Sequence, residues 1–192
     1  MLNKVTKSSW LLWAIFAILS YGCSTSGVNK PEPGQAISHD RPPKYLYAIE
    51  LLKRGDSQKA KEQLLSIEDS YKHEDLYINL AIIELNNNNI DNAANYIEKS
   101  ISMNSGNYIS HNLHGVILRK CGKFADATHA YSRSVSLNPD YADAYLNLAI
   151  LHDVYLDSPK QALPYYEKYK SLSNGNDENI EKWLVELSRR IK

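Results

Sequence analysis

Tyr145, Leu148, Ala149 and His152 stand three and four residues apart, the spacing that gathers side chains onto one face of an α-helix. Near the end of the chain Ile180, Trp183, Leu184, Leu187 and Ile191 form a second such stripe with charged residues between them, which predicts another amphipathic helix. Small residues recur through the pattern at intervals of 33 or 34: Ala48, Ala81, Gly115 and Ala149 at one phase, Ala60, Ala93 and Ala127 at another. A small side chain twice in each period implies two helices in close contact, and the period implies that such pairs stack unit on unit.

Breaks fall where this scheme needs them. Gly55, Asn88, Gly122 and Asp157 lie between the paired helices, and all are types that tolerate left-handed backbone. Asn138 is pushed out of helical geometry by Pro139. Ser158, Pro159 and Gln161 read as a capping box with proline at the first helical position. Pro164, further into the same helix, is expected to kink it.

The unit at residues 108–141 carries Gly115 at its position 8, Gly122 at 15, Ala127 at 20, Tyr131 at 24 and Pro139 at 32. It resembles the tetratricopeptide repeat (TPR). Residues 74–107 match with Tyr77, Leu80, Ala81 and Ala93, Ser105 replacing the proline. Residues 142–175 match with Tyr145, Leu148 and Ala149, then need one inserted residue before Ala162 and Tyr166 come into register. That insertion is expected between the helices, where it costs little. Residues 41–73 keep Ala48, Gly55 and Ala60. The resemblance implies an all-α, right-handed TPR solenoid of about four helix-turn-helix repeats across residues 44–175, ended by a capping helix at 176–192.

Lys4 and Lys7 precede an apolar run, Trp10 to Leu19, too short to span a bilayer and of the length of a secretory signal. Leu19, Ser20, Tyr21, Gly22 and Cys23 follow, and resemble the bacterial lipobox, with leucine four residues before the cysteine instead of three. The likeness implies removal of residues 1–22 and acylation of Cys23, palmitate included; an ordinary signal peptide or an uncleaved anchor is the alternative. Several acyl chains, at about 0.8 kcal/mol per buried methylene, anchor stably where one does not. Ser24 resembles the residues that permit sorting to the outer membrane, so the expected location is its periplasmic face. Residues 23–43, rich in Ser, Gly and Pro, read as a flexible tether.

Acidic and basic residues balance at 22 each, and with no basic patch the chain is not expected to bind nucleic acid. Acylation of Cys23 would leave Cys121 alone, so no internal disulfide is expected, and the thiol reads as inert. His111, His114, His129 and His152 could in principle hold zinc, but His114 falls where a side chain packs on the partner helix, and structural histidine is the preferred reading. Phosphate loops, nucleophile elbows and HExxH pairs are missing, so neither catalysis, metal nor cofactor is expected. The 14 tyrosines read mostly as core, Tyr145 and Tyr166 standing at positions that want a large residue, and Asn86 to Asn89 as a loop.

First helices of TPR units line the concave surface, where the family exposes positions 2, 5, 9 and 12. Here that stripe is Tyr45, Ile49 and Leu52, then Ile78, Ile82 and Leu85, then Ile109 and Val116, then Leu146 and Ile150. Asn79, Asn112 and Asn147 recur beside it as candidate clamps for a peptide backbone, and Arg119 adds positive charge. Two readings stay open: the stripe packs first helices together, or enough is exposed to form a partner groove for an amphipathic helix or extended apolar segment. The lysine-and-asparagine carboxylate clamp of chaperone-binding TPR proteins is missing. The arrangement resembles TPR lipoproteins of pilus assembly, which implies a scaffold holding a secretin or pilus component. It also resembles TPR adaptors of peptidoglycan hydrolases.

Overall fold

Four left-handed residues set the rhythm of the chain. In the computed structural model, which describes residues 41–173 and 178–191, all within the unit Ser38–Lys192, Gly55 (φ 85°), Asn88 (60°), Gly122 (73°) and Asp157 (43°) have positive φ. Each closes the first helix of a hairpin. The pairs are α1 (Pro43–Lys53) with α2 (Ser57–Leu65), α3 (Glu74–Asn86) with α4 (Ile90–Met103), and α5 (Tyr108–Lys120) with α6 (Phe124–Leu137). The last pair is α7 (Ala142–Ile150), prolonged by a π-turn at Leu151–Tyr155, with α8 (Pro159–Leu172); α9 (Glu178–Ile191) follows. The described residues contain no strand.

The first three hairpins turn in the same way. Gly122 N donates to Arg119 O at 3.0 Å and Lys123 N to Leu118 O at 3.0 Å, a Schellman ending that satisfies carbonyls the helix leaves open. Asn88 and Asn89 repeat it on Leu85 and Glu84, and Gly55 and Asp56 on Leu52 and Leu51. The fourth hairpin differs, because it must absorb the inserted residue. That residue sits inside the first helix and not between the helices: Leu156 N reaches back five residues to Leu151 O at 3.0 Å, and Ser158 N six to His152 O at 2.7 Å. A π-turn takes up one residue without breaking the helix, so Asp157 still lands at the left-handed corner.

One other local expectation is corrected. Ser158 makes no capping hydrogen bond; its hydroxyl donates to Leu156 O at 3.0 Å, back toward the π-turn. Pro164 does not interrupt α8, which runs from Pro159 to Leu172. The carbonyl it orphans is that of Lys160 in the first turn, an exposed residue where water can serve it.

Close packing explains the small residues. Ala48, Ala60, Ala81, Ala93, Ala127, Ala149 and Ala162 are all fully buried. A Cβ at Gly115 would lie 2.5 Å from two ring carbons of Tyr131, itself fully buried. Gly115→Ala is therefore expected to destabilise the domain. The helix-propensity gain is about 1 kcal/mol, and overpacking against a fully buried ring costs about 1–3 kcal/mol. A lower urea midpoint checks this; a higher one would mean that the ring gives way.

Apolar clusters run across repeat boundaries. Leu76, Leu80 and Ile83 of α3 pack with Tyr45, Ala48, Leu51, Ala60 and Leu64 of the first hairpin. At the other end Ile180 and Leu187 of α9 join Ala149, Ala162 and Tyr166, so α9 covers the last hairpin as the next unit would.

Candidate functional site

The stripe on α1, α3, α5 and α7 divides into a buried row and an open row. At the fifth position of each repeat, Tyr45 and Ile78 are 4% and 6% exposed, Asn112 is buried and Leu146 half-buried. One turn on, Ile82 is 39% exposed while Ile49, Val116 and Ile150 are half-buried; Leu52, Leu85 and Arg119 are half-buried too, and Ile109 is exposed at 38%. The fifth positions thus join first helices to one another, and later positions leave apolar surface facing outward.

The asparagines serve the joints. Asn79 Nδ2 donates to Tyr45 Oη at 3.1 Å and to Asp75 O at 2.8 Å. Asn147 Nδ2 donates to Asn112 Oδ1 at 3.1 Å, and Asn112 Nδ2 makes a long 3.5 Å contact with Tyr141 Oη. Arg41 pairs with Asp75 at the same boundary as Tyr45 and Asn79. Burial pushes the pKa of Tyr45 up, and that of Tyr141 well above the ordinary phenol range, so both remain neutral hydrogen-bonding groups. Of the amides counted as possible backbone clamps, Asn79 spends both N–H groups within the protein and Asn112 and Asn147 one each.

The ends of the stripe differ. Leu146 and Ile150 pack on the cluster that contains Ile180 and Leu187 of α9. No α9 residue joins the clusters on which Ile49, Leu52, Leu85 and Val116 pack. The cap therefore reaches the fourth repeat of the stripe and leaves the row through Ile82 and Ile109 open.

Elsewhere the chemistry is sparse. Burial lowers the pKa of His114 and His152, keeping them neutral packing groups, and His152 stacks on Tyr165 at 5.5 Å. Among the described residues no group of three His, Cys, Asp or Glu is placed to hold a metal ion, and no helix is long and apolar enough to cross a membrane. Cys121 ends α5 and is exposed. A buried ion pair went unread in the sequence: Lys61 Nζ meets Glu84 Oε1 at 2.6 Å, with the Glu84 side chain 1% exposed. A lone acid in the apolar run of α3 was its only signal. Cys23, the signal segment and the tether lie outside the described residues.

Residues 74–107 match a family model described as tetratricopeptide repeat, and residues 115–152 one described as TPR repeat. PilF of Pseudomonas aeruginosa is similar in structure, with a TM-score of 0.66 at 23% identity, covering 75% of this chain and 65% of that one. YrrB, described as a TPR protein with an unusual peptide-binding site, aligns with a TM-score of 0.61 at 16% identity over 74% of this chain and 73% of its own. Human protein O-mannosyl-transferase TMTC3 is 34% identical over 92 residues, 47% of this chain but 10% of that protein, so the chain spans a small part of its length.

Proposed function

We propose that this TPR protein, whose all-α solenoid is that of protein-interaction scaffolds, is held at the periplasmic face of the outer membrane by lipid on Cys23. There its stripe binds a protein component of an envelope machine, in pilus or secretion-system assembly. It turns over no substrate and uses no cofactor. The observation that carries the reading is the open apolar row through Ile82 and Ile109, flanked by half-buried Ile49, Leu52, Leu85 and Val116 and left clear of α9. Removing such surface from water yields about 25 cal/mol per Å², so a partner with an apolar face is favoured there. Likeness of fold to PilF supports the choice of machine, and the signal and lipobox-like residues before Cys23 support the location.

A photo-crosslinking residue at position 82, used in living cells, is expected to capture a secretin, pilin or other machine component. Cys23→Ser is expected to remove the protein from the outer-membrane fraction and the adduct with it. Capture of a cell-wall hydrolase instead would replace this reading with the adaptor role, and unchanged fractionation of Cys23→Ser would end the lipoprotein assignment.

A further inference from the structure

Arg119 stands apart from the other arginines near the stripe. Arg41 holds Asp75, and Arg190 holds both Asp153 and Asp157. Arg119 makes no ion pair among the described residues, although it is half-buried at the position where α1 and α3 carry Leu52 and Leu85. Arg133 also lacks a pair, but is exposed on α6, where water solvates it. The aspartates of the following π-turn and corner, Asp153 and Asp157, are paired with Arg190 instead.

The surroundings are built rather than incidental. The guanidinium carbon lies 5.3 Å from the centre of the Tyr155 ring, and that ring lies 5.4 Å from Phe124. Tyr155 closes the π-turn, so the extra residue of the fourth repeat is part of what positions it. Arg119 Nε is buried without an acceptor, and so is the Tyr131 hydroxyl, whose pKa burial pushes up to about 12 while the nearby Arg119 charge pulls against it. Nε faces inward, so it is the Nη end of the half-buried side chain, held with one face on an aromatic ring and unpaired among the described residues, that is arranged to take a planar anion.

We propose that Arg119 is a carboxylate socket in the groove, receiving an Asp or Glu side chain from an otherwise apolar segment of the protein partner. The inference rests on the groove reading above and refines it. Apolar flanks would supply affinity along the open row, and the socket would fix register, since a bidentate pair in a partly desolvated setting is sensitive to position. The charge complementarity is specific: an apolar segment lacking an acid would leave the Arg119 donors as they are now.

The probes are two acetylated and amidated peptides, rich in Leu and Ala and identical except for a central Glu or Gln, titrated into the full chain. The Glu peptide is expected to bind about tenfold more tightly at low salt. It should shift the Arg119 Nε–Hε resonance, and lose most of its advantage at high salt. Arg119→Met should equalise the two peptides with helical content unchanged, and Arg119→Lys should keep part of the preference, having charge but no fork. Equal binding of both peptides to the unaltered protein would overturn the socket and leave the groove standing. Binding of neither would overturn both. A preference that survives Arg119→Met would assign the carboxylate to another residue.

Discussion

Leu148→Asp is expected to unfold the domain, and Ile82→Asp to leave it folded but unable to capture its partner. Leu148 is 1% exposed, in the cluster of Ala127, Tyr131 and Leu151. An aspartate there loses the burial of a leucine, about 1.5–3 kcal/mol, and adds the cost of a buried charge without a partner. Together these consume most of the roughly 5–15 kcal/mol that a domain of this kind holds in reserve. Ile82 is 39% exposed, so a carboxylate there reaches water, and the change should stay near 1 kcal/mol. Circular dichroism separates the two variants, and crosslinking reads partner capture. Ile150 looks equivalent to Ile82 on the repeat grid, but it packs on the cluster holding Ile180 and Leu187, so Ile150→Asp should lower the melting temperature. Loss of helical signal in Ile82→Asp would show that the open row is core after all.

What could be read from the sequence was what local chemistry decides. Gly55, Asn88, Gly122 and Asp157 each occupy left-handed backbone, because that conformation selects its residue types without help from the rest of the fold. The two-helix unit followed from alanines that must lie where helices touch. The place of the inserted residue did not follow, since a loop and a π-turn add the same count to the chain. Only the carbonyls of Leu151 and His152, reached five and six residues on, distinguish them. Asn79, Asn112 and Asn147 were recognisable as a recurrence and read as candidate clamps, but Asn79 and Asn147 find side-chain acceptors on neighbouring helices 34 and 35 residues away. Ser158 was missed for a nearer reason: its hydroxyl finds the carbonyl of Leu156, two residues back where the π-turn ends, in place of the helix it precedes. Within the stripe, the repeat grid marks which faces meet the concave side; how far α9 covers them depends on where that helix docks.

Lys61→Ala is expected to destabilise the domain by about 3 kcal/mol at neutral pH, and by less in acid. Lys61 of α2 and Glu84 of α3 join the first two repeats, and Asn89 Nδ2 donates to Glu84 Oε2 at 2.8 Å. Desolvation pushes the Glu84 pKa up, but hydrogen bonds from Lys61 and Asn89 and the lysine charge outweigh it, and the net shift is downward. In the native protein the pair therefore contributes stability above the unfolded carboxylate pKa of about 4.3, lost as pH falls through the lower folded value. Without Lys61 only the hydrogen bonds from Asn89 and Asn92 oppose desolvation, the largest single influence, so the folded pKa is expected to rise above the unfolded one. The folded state then binds the extra proton, so its stability falls as pH rises, and the penalty of the variant should shrink on going from pH 7 toward 5. The lysine side chain is 25% exposed, so water can partly replace it, which is why the lower end of the range for a broken buried pair applies. The double variant Lys61→Met with Glu84→Met, which buries no charge, should recover much of the loss. Urea unfolding at the two pH values decides the matter: a penalty that stays constant would mean that Glu84 finds another cation or water once Lys61 is gone.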